Sequence, residues 1–485
     1  MSAPAPAAAP PEAAPQSAPQ APVAAAAPPF GRDLRRIAEL AWPVFVGQMA
    51  VLAFSTVDTV LVARHSATDL AALAVGSAAY ITVFIGLMGA VMALGPIVGQ
   101  LFGAGKLAEA GHQVHQAVWL ALALALLGGL LLVFPTPFLA LSRVDASVEP
   151  RIRGYLLGLA VALPAALLFA AYRGFNIAVS RPKAVMVLQL AGLAAKVPLS
   201  IALAWGLPAL GLPALGVVGC GIATAIAMWV QVFAAAALLR THSFYTPFGV
   251  PMATGTGGLH PPDFKALRAQ LRLGIPMGLA ILVEVTGFSF MAIFIARLGT
   301  TPVAGHQIAA NLAALLFMMP LSLSHATSTL VAQRIGARDL SDARRLGWRG
   351  LQIALAIALV MGGSVFLARD GVVSLYTNDS LVAAAALPLV AWLLWFHLAD
   401  AAQIMSAFVL RAHRIATVPL IIYATAIWGV GLGGGYAIAF DVGGFTPAAL
   451  LGARGFWFAS TGGLVLAAVA LTLFLLWVLK RERAA

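Results

Sequence analysis

The sequence predicts an all-α polytopic membrane protein with 12 transmembrane helices, arranged as two homologous six-helix bundles around a central cleft. Three observations support this prediction. The composition is too apolar for a soluble chain of 485 residues, because 61% of them are hydrophobic and only 9% are charged. Long apolar segments recur along the whole chain. Two halves of the sequence also match each other at a constant offset.

The apolar segments are long enough to cross a bilayer, which takes roughly 20 residues of helix. Segments 116–142, 350–368 and 455–479 contain no Asp, Glu, Lys or Arg. The uncharged stretch 198–239 holds more than one helix, since the Gly/Pro turn at 206–216 (GLPALGLPALG) divides it. The predicted spans are 38–62, 76–98, 116–137, 153–172, 184–206, 215–239, 272–296, 305–330, 350–368, 383–408, 416–439 and 456–479.

The 29 Lys and Arg residues are distributed unevenly between the two sides of these spans. Twenty-one lie on the side of the N-terminus, including Arg173 and Arg411 in connecting segments, and seven lie on the opposite side. Lys196 falls inside a span. Cytoplasmic loops carry the excess of positive charge in membrane proteins. We therefore expect a multi-pass protein of the inner (plasma) membrane with both termini in the cytoplasm.

An internal repeat divides the chain into two halves. The stretches LAWPVF, VARHS and VGQLFGAGKLAEA recur as LGIPMG, IARLG and VAQRIGARDLSDA, each 233 residues later. Six spans return the chain to its starting side, so the second half runs in the same sense as the first. This predicts two bundles related by an axis along the membrane normal, with the substrate in the cleft between them. The matched positions include Pro43/Pro276, Arg64/Arg297, Gln100/Gln333 and Gly103/Gly336.

The repeat and the composition together predict the domain organisation. An N-terminal bundle over 34–239 and a C-terminal bundle over 267–479 are joined by a cytoplasmic linker over 240–266. Residues 1–29 are almost only Ala, Pro, Gln and Ser and lack a basic segment followed by an apolar core. We expect a disordered tail there and no signal peptide. Residues 480–485 are predicted to form a basic cytoplasmic tail.

Four strongly ionisable residues fall well inside the spans: Asp58, Lys196, Glu284 and Asp400. A charge at mid-bilayer costs roughly 2.5–3.5 kcal/mol on insertion scales, and it is tolerated where it faces a cavity or a partner. The scaffold is duplicated but its three acids are not, which favours a functional role for them over a structural ion pair or interhelical hydrogen bond. Lys196 is a candidate to line the cleft, and its alternatives are pairing with an acid or reaching the membrane surface. At the 233-residue offset the acids lie opposite Met291, Val51 and Leu167.

Carboxylates in such a setting suit the binding of a proton or of a hard cation such as Na⁺. Hydroxyl side chains surround Asp58 in the stretch STVDT and supply further oxygen atoms. Amide side chains can line the same cleft or link helices through hydrogen bonds. One amide follows Asp400 by a single helical turn, and two others form an i, i+4 pair on the eighth span. These three candidates are Gln403, Gln307 and Asn311.

Taken together, the motifs resemble the multidrug and toxic compound extrusion (MATE) family, and more closely its NorM-like branch. The resemblance covers residues 34–479. It is carried by the P-x4-Q motif followed by VDTVLVA at 43–63, by the two QxxGA copies, and by EVTGFSFMAIFIARLG at 284–299. The stretches VAGHQIAANLAALLFMMPLSLSHATSTLVAQRIGARD and DAAQIMSAFVLRA complete the pattern.

The resemblance implies a transporter that exports cationic, amphipathic drugs in exchange for inward Na⁺ or H⁺, by alternating access of a cleft between two bundles. In NorM-like members, acids at the positions of Glu284 and Asp400 form a cation site, here a candidate for Na⁺, and the acid at Asp58 acts in the first bundle. Another branch of the family uses a second acid on span five, where this chain has Lys196. That departure disfavours a proton mechanism confined to the first bundle. His65 and Ser66 also replace a Gly-containing turn.

One rival interpretation is a flippase for lipid-linked saccharides from the same superfamily, which would need a cleft lined by Arg or Lys to hold a pyrophosphate. The cleft candidates are mainly acidic, which disfavours it. The absence of DDxxD, HExxH and GxSxG motifs argues against a membrane-embedded enzyme. We expect no cofactor beyond the coupling ion and no nucleic-acid partner, and a monomer suffices. The sequence decides neither the drug nor the choice between Na⁺ and H⁺.

Overall fold

A computed structural model of the chain describes residues 29–136, 138–139, 145, 147–207, 211, 213–250, 259–444 and 446–484. Within these residues, 12 helices are long and apolar enough to cross a membrane, which confirms the predicted number of spans. The predicted tail over 1–29 lies outside the described residues, except for its last position. The helices are α1 (Phe30–His65), α2 (Ala67–Gly103), α3 (Leu107–Val133), α4 (Glu149–Ala178), α5 (Pro182–Trp205), α6 (Val217–Thr241), α7 (Phe264–Ala296), α8 (Thr300–Gly336), α9 (Leu340–Leu367), α10 (Ser380–Ala412), α11 (Thr417–Ala439) and α12 (Ala453–Ala484).

Most helices extend beyond the apolar runs that predict them. The amphipathic segments DLRRIAEL and KALRAQLRL, each at the start of a half, continue into α1 and α7 without a break. The α7 helix begins where the Asp263 side chain accepts hydrogen bonds from the backbone N–H groups of Lys265 and Ala266, at 2.9 and 3.3 Å. These bonds favour the ionised carboxylate and hold the pKa of Asp263 below its usual value. At the other end of the chain, α12 runs through the predicted basic tail as far as Ala484.

Two spans contain irregular turns. The α2 helix is interrupted at Ala93, just before Gly95 and Pro96, where the lack of a proline N–H weakens the helical ladder. In α11, residues Ala424–Gly434 form a π-helix that includes four glycines. Such widened turns are frequent at functional sites. Both irregular segments border the space between the two halves.

Each half of the chain packs around its own apolar core. Buried residues such as Leu156 and Phe175 belong to the core of the first half. The side chain of Trp457 is fully buried in a core formed only by the second half. The beginning of α1 departs from this division, because Ile37 and Ala41 pack among residues of α8, α9 and α10. The two bundles are therefore joined by α1 as well as by the linker.

Small residues let the two bundles approach until their backbones touch. In the crossing of α2 and α7, a Cβ atom added to Gly89 would lie 1.9 Å from the Cα atom of Gly278. A Cβ atom added to Gly274 would lie 2.4 Å from the carbonyl oxygen of Ala90. Helices inside a membrane gain their association energy largely from such close packing. This crossing holds the two bundles together beside the central cavity.

The repeated QxxGA motif forms a second contact between the bundles, at the end of the molecule that carries the N-terminus. A Cβ atom on Gly103 would lie 1.8 Å from the carbonyl oxygen of Gln333. A Cβ atom on Gly336 would lie 1.9 Å from the carbonyl oxygen of Gln100. Each copy of the motif thus packs its glycine against the glutamine backbone of the other copy. We call this symmetric contact the basic-end seal.

The glutamine side chains of the basic-end seal also bridge the two bundles. The Gln100 amide nitrogen donates to the carbonyl oxygen of Ala412, at 2.7 Å, and the Gln333 amide nitrogen donates to that of Ala178, also at 2.7 Å. Both acceptors lie at helix C-termini, where carbonyl oxygens lack intrahelical partners. The positions that match in the sequence repeat therefore perform the same task in each bundle.

A charge cluster reinforces the same end of the molecule. Asp33, in the first turn of α1, is fully buried and pairs with Arg345 and Arg349 of α9. Asp342 of α9 pairs in turn with Arg334 of α8, at 2.9 Å. Because these ion pairs link α1 to helices of the second half, they hold the bundles together where the seal closes.

We predict that Gly336→Ala opens the basic-end seal, because the new Cβ atom requires the facing backbone to move by at least about 1 Å. Spin labels at Ala108→Cys and Ser341→Cys, equivalent exposed positions of the repeat, report the separation in a Cys220→Ala background. Their distance distribution should lengthen and broaden in Gly336→Ala. Gly363→Ala is the matched control, since an added Cβ atom there meets nothing within 4 Å. Identical distributions in the two variants would contradict the assigned role of the glycine.

Candidate functional site

A cavity of about 530 Å³ lies between the bundles, on the far side of the basic-end seal. This volume is typical of sites for drug-sized ligands, which occupy roughly 300–1,000 Å³. The walls come mainly from helices of the second half. The first half contributes four residues, one of which is Arg173. The lining is largely apolar and aromatic, and it includes Gln48, Met88, Met92, Phe288, Phe317, Phe396 and Phe408.

Two of the predicted acids, Glu284 of α7 and Asp400 of α10, border this cavity. One fully buried amide connects them: the Gln403 nitrogen donates to Glu284 Oε1 at 3.2 Å and to Asp400 Oδ1 at 2.9 Å. Because both carboxylates accept from the same nitrogen, they are neighbours at one point of the cavity wall. The helical spacing of three residues places Asp400 and Gln403 on the same face of α10.

Sequence reasoning did not identify Tyr423, which completes this network. Its hydroxyl donates a hydrogen bond to the Gln403 oxygen and so orients the amide nitrogen toward the two acids. Tyr423 is fully buried in α11, directly before the π-helical segment. It stands in an apolar span, IIYAT, and nothing in the sequence distinguishes it from a packing residue.

The arrangement offers oxygen donors of the kind that hard cations prefer. The carboxylates of Glu284 and Asp400 can receive Na⁺ or a proton, and an organic cation in the cavity meets the same negative charge. Within the described residues, no group of three or more His, Cys, Asp or Glu side chains is placed to hold a metal ion.

The remaining amide candidates occupy different positions. Gln307 lies among the residues that line the cavity. Asn311, one turn further along α8, is exposed and accepts a hydrogen bond from the Tyr376 hydroxyl at 2.8 Å. It lies outside the cavity lining although Ala310 and Ala314 of the same helix belong to it, because the rotation of about 100° per residue turns position 311 past the edge of the lining face. The i, i+4 spacing places both amides on one side of the helix without bringing both to the cavity.

Asp58 and Lys196 lie inside the first bundle and outside the cavity lining. The Lys196 ammonium contacts both carboxylate oxygens of Asp58, at 2.8 and 2.9 Å, and donates to the Thr224 hydroxyl at 2.7 Å. The Ser200 hydroxyl contacts both partners from α5. Of the alternatives that the sequence leaves open for Lys196, the structure shows the pairing with an acid, and neither Lys196 nor Asp58 is among the residues that line the cavity.

The placement of Arg173 and Arg411 corrects the sequence analysis, which assigned both to connecting segments. The helices α4 and α10 continue to Ala178 and Ala412, so both arginines lie within spans. Both border the cavity from its basic end. The predicted spans end at 172 and 408, before the charged residue that follows each apolar run. The helices themselves continue past that residue.

Twelve membrane-spanning helices in two bundles around a central cavity form the architecture of a membrane transporter. The family model MatE matches residues 43–202 and 276–437. The two matched segments begin 233 residues apart, which is the offset of the internal repeat. The chain belongs to the MatE family, and its predicted resemblance to MATE transporters of the NorM-like branch is confirmed.

Curated relatives match nearly the full length of the chain. It is 38% identical to the probable multidrug resistance protein NorM of Aromatoleum aromaticum, over 92% of this chain and 95% of that protein. It is 33% identical to the multidrug resistance protein NorM of Vibrio cholerae, over 93% and 97% of the two chains. The multidrug resistance protein PmpM of Pseudomonas aeruginosa is also 33% identical, over 90% of each chain.

Solved structures share the fold at low sequence identity. The eukaryotic MATE transporter AtDTX14 superposes with a TM-score of 0.80 at 21% identity, covering 92% of this chain and 96% of its own. An outward-facing multidrug resistance MATE transporter of the MOP superfamily superposes with a TM-score of 0.82 at 18% identity, covering 93% and 97%. These likenesses confirm the predicted fold class.

The Asp58–Lys196 pair makes a prediction about stability. Asp58→Asn should destabilise the protein by about 3–5 kcal/mol, because it leaves a buried ammonium without its counter-ion. The double variant Asp58→Asn/Lys196→Met removes both charges and should recover most of the loss. Thermal unfolding of the purified proteins, followed by size-exclusion chromatography, measures both effects. A double variant that is no more stable than the single variant would show that the pair is not coupled in this way.

Proposed function

We propose that the protein is a cation-coupled antiporter, driven by Na⁺ or H⁺, that exports cationic amphipathic drugs by alternating access. The relatives named as multidrug resistance proteins support drug export. The observation that carries the proposal is the pair of carboxylates, Glu284 and Asp400, joined by Gln403 on the wall of a drug-sized, aromatic cavity. Aromatic faces and negative charge are the two features that attract lipophilic cations.

Exchange follows from competition for the same charges. With no cation bound, Glu284 and Asp400 attract a cationic drug into the cavity. A coupling ion that binds the two carboxylates discharges them and removes the attraction, so that the drug is released. Because the two ligands oppose each other at one site, the entry of an ion is linked to the departure of a drug.

Alternating access requires the bundles to separate at one end while they close at the other. The basic-end seal is the contact that would part when the cavity opens toward that end. The Gln100 and Gln333 amides would then lose their carbonyl partners across the interface. In this proposal Asp58 retains Lys196 within the first bundle, and ion exchange takes place in the second.

The proposed setting is the inner (plasma) membrane, with both termini in the cytoplasm and the basic-end seal on the cytoplasmic side. The excess of Lys and Arg at that end supports this orientation. The proposed partners are cationic small molecules and the surrounding lipid bilayer. Neither a nucleic acid nor a bound cofactor has a part in the proposed mechanism, and one chain supplies both bundles.

We predict that wild-type protein drives ethidium efflux under an imposed Na⁺ or pH gradient. Glu284→Gln and Asp400→Asn should each reduce gradient-driven efflux by about 100-fold or more, because each removes a charge that both ligands need. Everted vesicles with the two gradients imposed separately, and ethidium fluorescence recorded over time, give the rates and identify the ion.

Glu39→Gln is the matched control, since Glu39 is exposed on the surface of α1 and, among the described residues, its one ion pair is with Arg35. It should transport like wild type. Folded, inserted wild-type protein without efflux under either gradient would overturn the proposal and redirect the tests to lipid-linked substrates. Undiminished coupling in both acid variants would overturn the assignment of the cation site.

A further inference from the structure

A second, smaller chamber lies between the main cavity and the basic-end seal. Its volume is about 60 Å³, and it shares part of its wall with the main cavity. Arg173 of the first bundle and Arg411 of the second both border it, together with His325. Neither arginine has a part in the proposed cation exchange. Two positive side chains from opposite bundles therefore meet at the floor of a cavity whose wall holds two acids.

The two guanidinium groups lack the ionic partners that buried charges normally have. Among the described residues, neither has a carboxylate oxygen within 4 Å. Arg173 donates to Gln48 Oε1 at 3.3 Å and to the Met88 sulfur at 3.6 Å. Arg411 is 3% exposed, stacks over the Phe408 ring, and has a buried Nη1 atom without an acceptor.

A buried guanidinium with an unused donor is costly, and the cost is removed when an anion accepts from it. Glu284 attracts Arg411 electrostatically, but among the described residues neither Glu284 nor Asp400 accepts a hydrogen bond from either guanidinium, and both accept from Gln403. The Ser328 hydroxyl, which also borders the chamber, donates to the Phe408 carbonyl at 2.8 Å. What the chamber lacks is a negatively charged acceptor.

We propose that Arg173 and Arg411 form a binding site for a monovalent anionic group at the floor of the cavity. Arginine presents its donors in a planar fork that matches a carboxylate, and it also binds halides. The chamber is large enough for a halide ion or for the carboxylate end of a longer molecule that continues into the main cavity. In the second case the ligand is a zwitterion whose cationic part lies beside Glu284 and Asp400. A carboxylate as the bound anion therefore rests on the proposed function.

Two fluorescent dyes test whether the bound anionic group is the carboxylate of a zwitterion. Tetramethylrhodamine is a zwitterion, and its methyl ester is a cation that differs only in the masked carboxylate. Fluorescence polarisation with purified protein in detergent should show that wild type binds the zwitterion about tenfold more tightly, the effect of a charge-assisted hydrogen bond. Arg173→Gln and Arg411→Gln should lose this preference and still bind the ester.

Equilibrium binding of ³⁶Cl⁻ to the same preparations tests whether the bound anion is a free halide ion. Saturable binding to wild type that disappears in both Gln variants would support the site with a free ion as its ligand. Arg297→Gln is the matched control, because Arg297 also stacks on an aromatic ring, Phe294, but lies at the opposite end of its bundle. Arg411→Lys keeps the charge without the fork, and it serves where the Gln variant does not fold.

The proposal is overturned if wild type neither prefers the zwitterion nor binds chloride. It is equally overturned if the preference or the binding survives in both Arg173→Gln and Arg411→Gln. These assays measure binding without any imposed gradient. Their outcome therefore does not depend on whether the protein performs drug–ion antiport in vesicles. A positive result in either assay with no gradient-driven efflux would retain the anion site and reject the transport mechanism.

Discussion

The cost of a charge inside a membrane constrains every functional feature of this protein. A buried ionic group needs a counter-ion, a hydrogen-bonding network or a cavity, and the four charges that the sequence places inside the spans meet this need in two ways. Asp58 and Lys196 neutralise each other within the first bundle. Glu284 and Asp400 share an amide and face a cavity. The first pair lies inside its bundle, while the second borders the cavity and is the cation site of the proposed function.

The duplicated scaffold and the single-copy site have separate tasks. Residues that match in the repeat, such as Gln100 with Gln333 and Gly103 with Gly336, build a symmetric contact between the bundles. Residues without a counterpart supply the chemistry, and Glu284 is one of them. In the proposed function the symmetric contact opens and closes as a unit, and the asymmetric site confines ion binding to one bundle.

The sequence was sufficient to predict the number of spans and the repeat, because apolar runs and repeated motifs are visible in one dimension. The buried acids were visible in the same way, whereas the grouping of Glu284 with Asp400 was implied by the resemblance to the MATE family. Gln403 could be predicted from its spacing to Asp400. Tyr423 could not, because its role depends on how α11 packs against α10. The arginines at the cavity floor were missed for a related reason: a charge at the end of an apolar run looks like part of a loop until the helix is seen to continue. The partners of Asp58 required the packing of α1 against α5.

The measurement that tests the account most directly is the release of a coupling cation when a drug binds. Purified protein is equilibrated with ²²Na⁺, or placed in weakly buffered solution for protons, and titrated with ethidium. The account predicts that about one cation leaves for each ethidium bound, and that release is lost in Glu284→Gln and Asp400→Asn. Ethidium binding of unchanged affinity, with every cation still bound, would contradict the central claim that drug and ion compete for the same carboxylates.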